Sequence, residues 1–267
     1  EGSEKLLAGE NGQPVRIGRG SLIAHIEVLS QLERNPDAIK VIEGAMNGSG
    51  DLEMLNLLQR LNAGETLPIS QVSNPVEGAA EVFFTLASVL SGEDNDRFGL
   101  IYARLSEYLR PTSVESLLMV ADMLSAQKQF DLAVESLNKV PSSHPECYTA
   151  EIGRSEALQA AGKAEAAIEV LRGLTKTHKT IPTVFTSLGD ALRRESRFPE
   201  ATEAYNGAIA LLPDVQPNHW FLYYARGITL EREGKWDAAE ADFRFALKLS
   251  PDQPLVLNYL GYGMVEK

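Results

Sequence analysis

The sequence predicts an all-α protein built by repeating one helical hairpin. Three observations lead there: a 34-residue spacing that recurs at independent positions, apolar residues at i, i+4 and i+7 within each unit, and a proline near the end of most units. The spacing is clearest near the C-terminus, where Ala239, Phe243 and Ala246 share one helical face and Pro251 follows. Stepping back from Ala239, the same position is Ala201, then Ala167, then Ala133, at intervals of 38, 34 and 34 residues. Phe243, Tyr205, Leu171 and Leu137 keep those intervals, as do Leu230, Leu192, Leu158 and Leu124 in the preceding helix. Agreement at three positions requires one four-residue insertion, which fits a loop around Gln216–His219.

Each unit contains two amphipathic runs. The unit from Pro182 carries Phe185, Leu188, Gly189, Leu192, Ala201, Tyr205, Ala208 and Pro213. The unit from Trp220 carries Tyr223, Gly227, Leu230, Ala239, Phe243, Ala246 and Pro251. The unit from Val114 carries Leu117, Val120, Ala121, Leu124, Ala133, Leu137, Val140 and Pro145. Small residues at Gly189, Ala201, Gly227 and Ala239 suit closely crossing helices. Proline after the second run ends it, because the ring has no N–H to donate and clashes with the preceding turn.

These positions resemble the tetratricopeptide repeat family. The resemblance implies a right-handed superhelical solenoid of antiparallel helix pairs. Glu151 replaces an expected apolar residue, and Arg154 and Arg226 stand where the family usually has Leu. The expected array covers 77–267, with units near 77–113, 114–147, 148–181, 182–215 and 220–253 and a truncated one at 254–267. Residues 21–76 read as degenerate helical repeats plus a linker, and 1–20 as an irregular segment with a short helix near Ser3–Ala8. Within 77–113, Phe83, Leu86 and Leu90 form one helical stripe, and Phe98, Ile101, Leu105 and Tyr108 another. Earlier, Leu22, Ile26 and Leu29 face inward on a helix over 21–34, and helices over 37–46 and 51–61 flank a turn in which Asp51 is the N-cap.

Composition narrows the function. With 25 basic and 37 acidic residues the formal charge is −12, a field that repels phosphate backbones, so nucleic acid is excluded as a general partner. No apolar run approaches the roughly 20 residues of a membrane span. The chain opens on Glu1 without a signal-peptide pattern, as a processed protein or a piece of one would. A soluble chain is expected, and one cysteine, Cys147, leaves cytoplasm and bacterial periplasm both open.

No catalytic set assembles from the sequence, so the protein is read as a non-enzyme with no cofactor and no metal. His25, His144, His178 and His219 lack metal-ligand spacing. Cys147 near His144 has no third group to orient it. Asn47-Gly48-Ser49 matches a glycosylation sequon, a short and frequent pattern.

Binding is the remaining chemistry. The resemblance implies that first helices line the concave surface, and at 100° per residue positions 2, 5, 9 and 12 then point into it. These are Thr183, Thr186, Asp190 and Arg193 in one unit, and Phe221, Tyr224, Ile228 and Glu231 in the next. The last unit supplies Leu255, Asn258, Tyr262 and Val265. The groove thus runs from polar to aromatic, with Phe221, Tyr224 and Tyr262 as one wall. Rigid aromatics are common anchors. Two readings fit that wall: it binds a partner, or it packs on the next repeat.

The family's clamp for chaperone carboxylate tails uses Lys and Asn at positions 5 and 9 of one first helix, then more Asn, Lys and Arg in the next two. Here those positions hold Leu118 and Asp122, Ile152 and Glu156, Thr186 and Asp190, so a basic or apolar segment suits the groove better. The apolar last helix predicts either that the natural chain continues or that this edge pairs with another copy, giving a homo-oligomer. The favoured function is a protein-interaction scaffold. The alternatives are a structural self-assembly module and the helical accessory region of a larger enzyme or complex.

Overall fold

A computed structural model describes residues 19–46, 51–70, 72, 74–91 and 96–265. The sequon at Asn47 and the helix expected near Ser3–Ala8 lie outside them. All the regular structure in the described residues is helical. The helices are α1 (Arg19–Gln31), α2 (Asn35–Met46), α3 (Leu52–Asn62), α4 (Pro75–Leu90), α5 (Asp96–Leu109), α6 (Val114–Ala126) and α7 (Phe130–Leu137). They continue with α8 (Cys147–Ala160), α9 (Ala164–Thr177), α10 (Pro182–Arg194), α11 (Phe198–Ala210), α12 (Trp220–Arg232), α13 (Trp236–Leu249) and α14 (Pro254–Val265). The chain divides into two compact units, one reaching Met123 and including Ser143–Glu146, the other formed by Leu124–Ser142 and the chain from Cys147 onward.

In the N-terminal unit, α1–α3 enclose Ile23, Ile26, Leu29, Ala38, Ile42, Met54, Leu57 and Leu61. Leu22 only flanks this core, and Ile23 takes the fully buried place. Asp51 caps α3 as expected, its carboxylate accepting from the Glu53 and Met54 amides. The connection after α3 is irregular but anchored. Leu67 is buried, its amide donates to the Ser30 hydroxyl at 2.9 Å, and the Ser70 amide donates to the buried Glu27 carboxylate at 2.9 Å.

The hairpin α4/α5 inverts the expected packing. Small residues are buried, namely Ala80 and Ala87 on α4 and Ala103 and Ser106 on α5. The stripe of Phe98, Ile101, Leu105 and Tyr108 is exposed, as is Leu86. Small side chains let helices approach closely, which leaves the larger ones on the outer face. Phe83 stacks on Tyr102 across the pair, with ring centroids 6.0 Å apart.

The C-terminal unit repeats one plan. Ala133, Ala167, Ala201 and Ala239 are all fully buried, and Leu137, Leu171, Tyr205 and Phe243 fill the space beside them. Each turn from first to second helix carries one left-handed residue in register, at Lys128, Gly162, Ser196 and Gly234. The following amide reaches back in every case, from Gln129 to Leu124 O, Lys163 to Leu158 O, Arg197 to Leu192 O and Lys235 to Leu230 O, at 2.8–2.9 Å. This is the Schellman closure, which satisfies helix-end carbonyls and favours glycine. Lys128 and Ser196 adopt it against that preference because the register demands it. The four-residue insertion forms a short 3₁₀ turn, Pro217–His219, in which the His219 ring accepts from the Gln216 amide.

Candidate functional site

The candidate site is the row of first helices α10, α12 and α14. Each packs on a second helix through a glycine that faces an aromatic ring. A Cβ on Gly189 would lie 2.6 Å from the Tyr205 ring, and one on Gly227 would lie 2.6 Å from the Phe243 ring. The glycines therefore make room for a ring from the second helix of the unit. On α14 the glycine in register, Gly261, meets nothing within 4 Å, and Gly263 instead faces the Trp236 ring of the preceding helix α13.

Polar groups then fix the geometry. The buried Tyr205 hydroxyl donates to the Asp190 carboxylate at 2.7 Å and accepts from Arg193 Nε at 3.1 Å. Burial, reinforced by the Asp190 charge, pushes the Tyr205 phenol well above its ordinary range, so it stays a donor. Arg193 also reaches Asp190 at 3.3 Å. Both members of this pair are half-buried, and they hold the polar end of the row rigid. The Thr186 hydroxyl donates back to Pro182 O, while Thr183 is exposed. Between α11 and α12, the Thr202 hydroxyl lies 2.8 Å from Thr229 Oγ1 and 2.6 Å from the Glu233 carboxylate. Burial pushes Glu233 up, but Lys235 and Thr202 outweigh it and hold the carboxyl below its ordinary value.

The aromatic end differs from the expected wall. Phe221 is 41% exposed and Tyr262 is 68% exposed, whereas Tyr224 and Ile228 are each only 7% exposed. Tyr224 packs edge-on against Tyr259 of α14 at 5.6 Å and beside Phe243 at 6.2 Å. Position 5 of α12 is thus taken up by the next first helix, and position 9, Ile228, is buried in the same core. The corresponding residues of α14, Asn258 and Tyr262, lie open. Trp220 and Tyr224 both touch the Phe221 ring, at 5.8 and 6.2 Å, which braces Phe221 at the surface. Leu255, Leu257 and Met264 extend the exposed apolar surface of α14.

The residues that break the family pattern find partners. Arg226 holds Asp242 with two 2.7 Å hydrogen bonds and reaches Asn206 at 2.8 Å. Glu151 and Arg154 pair with each other along α8. Cys147 Sγ lies 3.6 Å from His178 Nε2, a contact that sequence spacing gave no reason to expect. Burial and the Glu151 charge raise the thiol above its ordinary range, so it is held protonated and is a poor nucleophile. Among the described residues no three His, Cys, Asp or Glu side chains gather as a metal site would require, and no helix is long and apolar enough to cross a membrane.

Comparison with known proteins agrees with this architecture. The family model described as tetratricopeptide repeat matches residues 224–262. The mouse Protein O-mannosyl-transferase TMTC1 is 31% identical over 156 residues, covering 57% of this chain. The chain spans only about a sixth of that relative's length, 16%. Among solved structures, the Cut9-Hcn1 hetero-tetramer of APC/C matches 99% of this chain and 52% of its own, at 13% identity and a TM-score of 0.54. YrrB, described as a TPR protein with an unusual peptide-binding site, matches 70% of this chain and 98% of its own, at 15% identity and a TM-score of 0.50. The matched family model identifies a tetratricopeptide repeat at residues 224–262, and the repeat register and glycine–aromatic packing carry the same helical-hairpin plan through the C-terminal unit.

Proposed function

We propose that the chain is a non-catalytic scaffold that holds a peptide or protein segment along α10, α12 and α14. The observation that carries this reading is the exposure of Phe221, Asn258 and Tyr262 on first helices whose remaining aromatics are spent on packing. An exposed, braced aromatic covers large area at low entropic cost, which suits an anchor. Thr183, Thr186, Asp190 and Arg193 supply hydrogen bonds for the segment's backbone at the polar end. Asp190 and the net charge of −12 favour a basic or apolar segment. The description of YrrB as peptide-binding supports the same use of the fold.

A second reading, self-association through α14, is favoured by the exposed Leu255, Leu257, Tyr262 and Met264. A third, a helical accessory region of a larger enzyme, is favoured by the partial match to a mannosyl-transferase. Affinity capture from a lysate compares wild type with Phe221→Ala/Tyr262→Ala, bound proteins being identified by mass spectrometry. The scaffold reading expects a partner retained by wild type and lost by the equally stable variant. Identical capture by both sinks it. Light scattering that shows a concentration-dependent dimer, abolished by Tyr262→Ala, would put self-association first.

A further inference from the structure

The hairpin α8/α9 contains a cleft of about 740 Å³ at a place where two other hairpins put aromatic rings. In the α10/α11 hairpin, Phe185 fills the corresponding place, its ring 2.9 Å from where a Gly207 Cβ would stand. In α12/α13, Tyr223 fills it, packed against Phe245 with centroids 4.6 Å apart. Phe185 and Tyr223 stand at the register of Glu151, and Gly207 and Phe245 at the register of Gly173. The α8/α9 hairpin therefore has neither aromatic. Glu151 instead pairs with Arg154, and a Cβ on Gly173 would meet nothing within 4 Å.

A second departure widens the opening. The second helices α7 and α9 begin in register, but α7 has 8 residues and α9 has 14. Pro141 stands where the sister units have Thr175, Ile209 and Leu247. It removes the N–H that would bond Leu137 O and disfavours helical backbone at Val140, so α7 stops at Leu137. Val140 and Ser142 then border the cleft where a further helical turn would have crossed it.

The geometry points to a second binding site, in which this cleft receives an aromatic side chain of a partner peptide, with a basic residue beside it. The occupant follows from the α10/α11 and α12/α13 hairpins, which place their own aromatic rings at this register. Leu158, Val170 and Leu174 supply the apolar floor, and Gly173 leaves the face of the ring uncovered by any side chain. The volume lies within the roughly 300–1,000 Å³ of small-ligand sites, enough for one ring and its flanking backbone. Glu169 adds a carboxylate at the rim, which selects a neighbouring Lys or Arg on the peptide. The site uses α8 and α9 and none of the residues assigned to the α10–α14 row, so it stands independently of that reading.

Titration of the ¹⁵N-labelled chain with the peptides acetyl-Lys-Phe-Lys-amide and acetyl-Lys-Ala-Lys-amide tests it by amide chemical shifts. The Phe peptide is expected to shift Val170, Gly173 and Leu174 saturably, and the Ala peptide to bind at least about tenfold more weakly, since a buried ring is what separates them. Glu151→Phe rebuilds the sister arrangement and should abolish these shifts. Gly173→Leu fills the same space from the other wall, so the test survives if the first variant folds poorly. Equal binding of the two peptides, or full binding by both filled variants, overturns the proposal. So do shifts confined to the surroundings of Phe221 and Tyr262, or a chain that occupies the cleft with a second copy of itself at high concentration.

Discussion

Phe243→Ala is expected to destabilise the C-terminal unit by about 3–5 kcal/mol, the range for deleting a buried aromatic. Phe243 is fully buried, and its ring faces Gly227, Tyr224, Trp236 and Tyr259. Those groups come from α12, α13 and α14, so the loss falls on the junction that presents the aromatic end of the row. Surface substitutions away from such contacts usually change stability by less than about 0.5 kcal/mol, so Tyr262→Ala should leave folding nearly intact, and Phe221→Ala, which loses only the ring contacts with Trp220 and Tyr224, should cost less than Phe243→Ala. Urea titration of the three variants checks both statements. A midpoint for Phe243→Ala indistinguishable from that of Tyr262→Ala would contradict the packing described.

Asp242→Ala is expected to cost about 3–5 kcal/mol, because it leaves the Arg226 guanidinium without its bidentate partner. The Asp242 side chain is 8% exposed and that of Arg226 is 20% exposed, so water restores little of the lost solvation. In the preceding unit the same two positions are Leu188 and Ala204, both buried. Arg226→Leu/Asp242→Ala copies that apolar pair and should recover most of the stability of the wild type. A buried ion pair replaced by apolar groups is often neutral or stabilising, whereas a broken one is not. The signature in the urea midpoints is therefore a double variant more stable than the Asp242→Ala single. Additive losses would mean that the pair is solvated and the hydrophobic replacement does not fit.

Much of the fold was legible in spacing. The positions of Ala133, Ala167, Ala201 and Ala239 predict burial, and all four are fully buried. The 38-residue interval located the insertion that became the Pro217–His219 turn. Periodicity reports which residues share a helical face but not whether another element covers that face. The Phe98–Tyr108 stripe is regular in sequence and exposed in space because the small residues of α5 were chosen for packing instead. Tyr224 and Ile228 fall at groove positions by angle, yet Tyr224 packs on Tyr259 of α14 and Ile228 is buried in the same core. The register of the left-handed turn residue was also hidden, since glycine marks it at Gly162 and Gly234 but not at Lys128 or Ser196.

The α8/α9 cleft was visible only as a blemish, the acidic Glu151 at an apolar position. Its meaning needed two further facts that are not neighbours in sequence, namely Gly173 opposite it and the early end of α7 at Pro141. The pairing of Glu151 with Arg154 had the same character. Each residue alone departs from the repeat, and together they satisfy each other.

Site-specific photo-crosslinking tests the central claim, that the open residues of the first helices hold the partner. A benzoylphenylalanine replaces Tyr262 in one sample and Arg244, exposed on the second helix α13, in another. The partner-containing lysate is irradiated with each. A discrete crosslinked species is expected from position 262, with none of that mass from position 244. Crosslinking from position 244 alone, or equally from both, would contradict it.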